Sequence, residues 1–373
     1  MGFYLTDGSF LSPQNSLRYA VTRALIHLMR TSFYQFTLPA LQELFKNNNL
    51  TSSGAGKLFN WHYKQRRLDV CDRDLSQATQ AFLRDNLSFD LPAIDVIQES
   101  DDRAVKFLFK LQDGKRVETV LIPSNRRYGI CLSSQVGCAM KCSFCHTGLQ
   151  GLERHLQTHE IVGQLLAVQA WLSKNRPEDD QIATIVFMGQ GEPLHNFDAV
   201  KMACEIFVSQ HGLSLAHDKI TISTAGYLPG LLRWKGEMPD VNIALSLHST
   251  DTEKRNQLIP INAKYPVAEV LEIVNQIPKN KKRFVIYEYL LAQGFNDSHE
   301  DARGLGEALK GKKAFVNLIP FNPFPGAKYG RPTHEEVAAF KSELDKFGVP
   351  SLVRFTKGDD ILAACGQLNS KKS

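Results

Sequence analysis

From Tyr128 onward, short apolar blocks alternate with longer amphipathic stretches. The blocks YGICLS, ATIVFMG, KITIST, NIALSLH, FVIYEYLL and AFVNLIP are rich in Ile, Val and Leu. Near-continuous apolar runs of this length mark strands buried on both faces. Helix-period stretches follow most of them. After Thr158, the residues Ile161, Leu165, Val168 and Leu172 share a face, and after Asn196, Val200, Cys204 and Phe207 do the same. The last helix opens on Thr333 with Glu336 three positions on, the spacing of a capping box. It runs through Val337, Phe340, Leu344 and Phe347 and stops at Gly348, the residue type favoured just past a helix end. Strands and helices in this alternation predict parallel β/α units. About six fit between residues 124 and 350, giving an α/β fold built on an incomplete (β/α)6 TIM-type barrel, with its chemistry at the C-terminal strand ends.

Upstream the pattern differs. Two β-rich runs flank Asp113-Gly114 within 96–123, predicting a hairpin that links to the barrel. LPALQELFK, SSGAGKLFNWHYKQRR and LSQATQAFLRD predict a small helical domain over 38–95. Its segment Trp61, His62, Tyr63, Lys64, Arg66, Arg67 could hold an RNA backbone and stack on bases. It could equally be a solvated helix whose aromatic residues belong to the core. Residues 1–37 form an extension in which Leu17, Val21, Ala24, Leu25 and Leu28 suggest one amphipathic helix. Residues 351–373 read as one strand and then a mobile, loop-like tail carrying an isolated thiol, Cys365.

The 373 residues suggest two domains, and 43% apolar with 22% charged residues is ordinary globular composition. A net charge of +5 permits a nucleic-acid partner without demanding one. No apolar run approaches the ~20 residues of a membrane span. The Met-Gly start matches a myristoylation pattern only weakly, and no secretory signal is legible. The expectation is a cytoplasmic, monomeric protein with no membrane partner. The seven cysteines are clustered, which in a cytosolic chain points to metal binding or catalysis.

CLSSQVGCAMKCSFCHTG, Cys131 to Gly148, holds four of them. Cys138, Cys142 and Cys145 are spaced C-x-x-x-C-x-x-C. Three cysteines do not complete a structural zinc site, which takes four ligands. His146 beside Cys145 leaves a Cys3His zinc site conceivable, although adjacent ligands are sterically awkward. Three thiolates on a four-iron cluster would instead leave one iron open for a chelating ligand. The spacing, with Phe144 before the last cysteine, resembles the signature of the radical S-adenosylmethionine (SAM) superfamily. MGQGEPL, Met188 to Leu194, follows a strand and could meet an ammonium group through its backbone and Glu192. Ser223, Ser246, Leu247, His248 and Asn322 fall at other strand ends. Each could be a local turn or cap, but together they describe one polar rim.

CLSSQVGCAMKCSFC, KRVETV, GQGEPL, SLHSTDTEKRNQLIPIN, NLIPFNPFPG and GDDILAACGQL resemble the RlmN/Cfr family of radical SAM methyltransferases acting on adenine in RNA. The likeness spans roughly residues 38–368, in family order. Pro193 and the run from Asn322 to Gly326 favour the RlmN branch, which methylates adenine C2, over the Cfr branch, which methylates C8. The resemblance implies that Cys138, Cys142 and Cys145 hold one [4Fe–4S] cluster. It implies that Gly191, Glu192, Ser223, Ser246, Leu247, His248 and Asn322 contact SAM. Cys365 would carry the methyl group, Cys131 would be its partner, and Glu118 a proton acceptor. One SAM would methylate Cys365; a second would yield the radical that activates this methyl group. Cys131 and Cys365 would end as a disulfide. The implied partners are rRNA, possibly tRNA, and a reducing donor such as flavodoxin or ferredoxin. Gln190, His146, Phe355 and Leu362 depart from the family pattern. The rival readings are methylation at C8 or of another RNA, and a non-catalytic cysteine–metal RNA binder, which would need neither Cys131 nor Cys365.

Overall fold

The computed structural model describes residues 30–68, 74–124, 127–277 and 283–370. The proposed helix around Leu17–Leu28 and Cys71 lie outside them. The chain divides into two compact units at Asp90/Leu91.

In the first unit, α1 (Leu38–Asn47), α2 (Ser52–Phe59) and α3 (Gln77–Asn86) surround an aromatic core. Thr37 caps α1 by accepting the Ala40 N–H, and Ser76 caps α3 by accepting the Thr79 N–H. A single π-helical turn, Asn60–Lys64, continues α2 and turns Trp61, His62 and Tyr63 inward. His62 is fully buried, bonds the Tyr34 hydroxyl at 3.1 Å and stacks on Phe89. The aromatic positions of WHYKQRR are therefore core, and no base can stack on them. Lys64, Gln65 and Arg66 remain exposed. Residues Thr31–Ser32 and Leu87–Ser88 close the unit with a short parallel ladder.

The second unit is built on one ten-stranded sheet. Its strands are β1 (Ala93–Glu99), β2 (Val105–Lys110), β3 (Arg116–Ser124), β4 (Arg127–Cys131), β5 (Ile182–Phe187), β6 (Ile220–Thr224), β7 (Asn242–Ser246), β8 (Val285–Leu291), β9 (Ala314–Pro320) and β10 (Ser351–Val353). They lie side by side in chain order. From β4 to β10 every neighbour is parallel, and from β1 to β4 every neighbour is antiparallel. All six blocks read as strands are strands. The expected hairpin is β2–β3, with Gly114 at φ +81° in its turn. It is an integral part of the sheet, because β3 also pairs with β4. β1 was not expected: its Val96 and Ile97 are 40% and 38% exposed, so no buried alternation marks it. Pairing with β2 makes it a strand.

Six helical layers return the chain between the parallel strands: α4 (Thr158–Asn175), α5 (Phe197–Val208), α6 (Leu228–Glu237), α7 (Thr252–Leu258) with α8 (Val267–Asn275), α9 (His299–Leu309) and α10 (His334–Asp345). Ile161, Leu165, Val168 and Leu172 of α4, and Val200, Cys204 and Phe207 of α5, are buried against the sheet side as their spacing predicts. The capping box of Thr333 and Glu336 forms, and Gly348 takes φ +68° just past the helix end. The sheet ends in two edges, β1 and β10, so the barrel is incomplete. Among the described residues no helix is long and apolar enough to cross a membrane.

Candidate active site

A cavity with about 860 Å3 of empty space, including its open mouth, lies at the C-terminal ends of the parallel strands. One side is the loop after β4. A short antiparallel ribbon, Gln135–Gly137 with Leu152–His155, carries the chain into and out of it. Gly137, at φ +72°, is required there, since a Cβ would lie 1.8 Å from the Gly151 carbonyl oxygen. Within the loop, Cys138, Cys142 and Cys145 all face the cavity.

Burial raises the pKa of all three thiols, that of Cys138 to about 12. Donors oppose this at the sulfurs: the Met140 N–H at Cys138, and the Thr147 and Gly148 N–H groups with the Thr147 hydroxyl at Cys145. Among the described residues no group of three or more His, Cys, Asp or Glu converges tightly enough for a single metal ion. The three thiols lie together around one cavity, with N–H donors at Cys138 and Cys145, and this donor set fits an iron–sulfur group, whose thiolates need such bonds.

The facing wall comes from β5, β6 and β7. Gly191 adopts φ +104°, and a Cβ there would meet Gln135 at 2.6 Å. This permits the tight turn that buries Glu192, whose carboxylate accepts N–H bonds from Leu194 at 3.0 Å and Ala225 at 2.8 Å. Burial pushes its pKa up to about 7, while these bonds and Thr224 oppose the rise. Ser223 and Ser246 approach each other at 3.4 Å across β6 and β7. His248, at φ +56°, accepts the Leu290 N–H on Nδ1 and stands edge-on to Phe144. Burial lowers its pKa to about 3, with Arg255 adding to the effect, so the ring is neutral.

The third wall is the tail. Cys365 is exposed to the cavity, and its thiol pKa is raised by burial and by Glu288, which lines the same space. The tail is irregular but held. The His146 N–H donates to the Gly366 carbonyl at 2.7 Å, and its ring stacks on Phe324 and bonds the Asn369 amide. Thr147 donates to the Leu368 carbonyl at 2.8 Å. Gln190 is fully buried: its Oε1 accepts the Glu118 N–H and its Nε2 donates to the Ser370 hydroxyl. Gln190 and His146 thus meet at one segment.

Four expected residues stand behind the cavity surface. Cys131 is buried under the tail with Val120, Ala363 and Leu368, its thiol pKa raised by burial and by nearby Cys365. Leu247 is fully buried and presents backbone, donating its N–H to the Glu288 carbonyl. Asn322 donates to the Cys365 carbonyl at 3.2 Å. Glu118 is fully buried in β3, pairs with Lys106 at 3.2 Å and accepts the Asn369 N–H at 2.6 Å. It grips the tail and does not line the cavity. Sequence reading missed Glu288, Arg255 and the contacts of Asn369. Charged residues read as surface residues unless tertiary structure buries them, and nothing in TEKRNQL distinguishes Arg255.

A family model described as Radical SAM superfamily matches residues 132–305. A probable dual-specificity RNA methyltransferase RlmN of Aquifex aeolicus is 40% identical, over 90% of this chain and 97% of that one. A dual-specificity RNA methyltransferase RlmN of Bdellovibrio bacteriovorus is 39% identical, over 98% of this chain and 90% of that one. The crystal structure of a radical SAM methyltransferase from Sphaerobacter thermophilus superposes with a TM-score of 0.84 at 35% identity, covering 91% of this chain and 99% of that one. The barrel, the three-cysteine loop and these relatives agree, and the chain belongs to the RlmN family of radical SAM RNA methyltransferases.

Proposed function

We propose that this enzyme methylates C2 of an adenine in 23S rRNA and in tRNA, with Cys365 as the methyl-carrying thiol and Cys131 as its partner. The observation that carries the reading is the sharing of one cavity by Cys365 and the three-cysteine loop, with Cys131 beneath the tail. A binding protein needs no such arrangement. Adenine C2 is electron-poor and has no acidic proton, so direct attack on a sulfonium methyl is unfavourable. When bound, a [4Fe–4S] cluster and SAM supply one-electron chemistry that activates a methyl group without acid–base help.

The chain's own residues provide the rest. Cys138, Cys142 and Cys145 would hold the cluster. Glu192, with the Gly191 turn, would receive the ammonium of SAM, a cation that would stabilise the buried carboxylate. Ser223, Ser246, Leu247, His248 and Asn322 contact its remaining polar groups, Leu247 through backbone. Neutral His248 can donate or accept without adding charge. Cys365 presents its methyl group to the base, and Cys131 serves product release. Glu118 acts through Asn369, fixing the tail. A small reducing protein such as flavodoxin or ferredoxin supplies electrons in the cytoplasm, and the enzyme works as a monomer.

Mass mapping of adenine methylation in rRNA and tRNA, from cells with and without the protein, tests the reading. Loss of 2-methyladenine from both RNAs is expected. Loss of 8-methyladenine would move the reaction to C8, and no change in either would remove the assignment.

A further inference from the structure

Arg255 heads the largest fully buried side chains of the described residues, at 1% exposure. It projects from α7, and its guanidinium donates to the Asn262 side-chain oxygen at 3.0 Å, the Ser246 carbonyl at 2.8 Å, the Leu247 carbonyl, and the Ala225 carbonyl at 2.9 Å. Every one of these acceptors is neutral. Among the described residues no carboxylate forms an ion pair with it. A buried cation without a counter-charge is costly, and hydrogen bonds to carbonyls only partly offset the lost hydration.

The same helix backs the cysteine loop. The Ser143 N–H donates to the Leu258 carbonyl at 3.0 Å, and the Ser143 hydroxyl to the Gln257 carbonyl at 2.8 Å. Leu258 and Ile259 pack in one cluster with Cys138 and Cys142. Burial lowers the Arg255 pKa to about 10, which still leaves it charged, and Arg255 in turn favours the Cys142 thiolate.

We propose that Arg255 is the counter-charge of the cysteine-bound cluster. Its fork pins the ends of β6 and β7, which carry Ser223 and Ser246, and its charge favours the reduced state of the cluster. A cluster held by three thiolates is an anion, and reduction adds a further negative charge. A fixed cation nearby stabilises the reduced form more than the oxidised form, and net charge is one of the factors that set such potentials. The inference rests on the [4Fe–4S] reading. If that reading fails, the unmodified chain itself takes up no iron, which separates the two failures.

The test is an anaerobic redox titration of the reconstituted full-length chain, following the electron paramagnetic resonance signal of the reduced cluster. It compares the unmodified chain with Arg255→Lys, Arg255→Gln and Arg255→Met. Arg255→Lys keeps the charge and loses the fork, so its potential stays close to that of the parent while SAM binding weakens. The two neutral variants show about a tenfold lower ratio of reduced to oxidised cluster at fixed potential, a shift of ~59 mV for one electron. If both neutral variants fail to take up iron while Arg255→Lys succeeds, the charge requirement acts at cluster assembly and the proposal stands. Equal potentials in all four proteins, or failure of all three variants to hold iron, reduce Arg255 to a structural clamp and overturn it.

Discussion

Two walls of one cavity are built by different means. The strand-end wall carries Glu192, Ser223, Ser246 and His248 on elements locked by parallel ladders between β5, β6, β7 and β8. The tail wall carries Cys365 on a segment with no regular structure after β10 among the described residues. Side chains hold it instead: Glu118, His146, Thr147, Gln190 and Asn322 each bond its backbone or side chains. A ladder spreads its stability over many equivalent backbone bonds, whereas a strap concentrates it in a few side chains. The strand wall should therefore tolerate substitution near it better than the tail does. The tail, in turn, can be loosened without unfolding the barrel.

Cysteine substitutions separate the walls most sharply. Cys142→Ser should reduce iron from about four per chain to a small fraction and abolish methyl transfer. Iron analysis after anaerobic reconstitution measures this. Cys365→Ala should keep full iron and lose all methyl transfer, because only the tail wall has changed. Loss of iron in Cys365→Ala would show that the two walls do not act separately.

Glu118→Gln comes next. It leaves Lys106 buried at 7% side-chain exposure without its ion-pair partner, and weakens the grip on Asn369. Breaking a buried pair from one side costs about 3 kcal/mol, readable as a lower urea midpoint. Gln190→Met removes the acceptor of the buried Glu118 N–H and the bond to Ser370, at about 2 kcal/mol. Faster alkylation of Cys365, at unchanged iron content, should accompany it. Unchanged alkylation would show that the strap does not need Gln190.

The smallest expected effect is on the strand wall. Glu192 has a folded-state pKa of about 7, above its ordinary value because of burial. Its contribution to the stability of the empty protein is present at low pH and is lost as pH rises through about 7. Above that pH the carboxylate is ionised and can meet a cation, so SAM binding should tighten about tenfold between pH 6 and 8. Glu192→Gln should flatten the profile. Calorimetric titration at several pH values decides it, and an equally steep profile in Glu192→Gln would assign the dependence elsewhere.

Legibility follows the same division. All six strand blocks were readable because strands buried on both faces must be apolar, and the capping box at Thr333 was readable because its chemistry is local. β1 was not, since its exposed Val96 and Ile97 follow no burial pattern. The sequence left open whether Trp61, His62 and Tyr63 faced solvent or core, because one turn of π-helix sets their direction. The tail was read as mobile because its restraints are side-chain contacts to other elements, several of them, such as Glu118, His146 and Gln190, far away in the chain.

Sequence alone thus determined the β/α order, the three-cysteine loop and the family, since each rests on local spacing or apolar runs. Tertiary structure decided which charged groups are buried and what they meet. Glu118 became a hook for the tail, Cys131 came to lie beneath it, and Arg255 came to stand behind the cysteine loop with no carboxylate partner among the described residues. Long-range contacts and desolvation set these roles, and neither depends on neighbours in the chain.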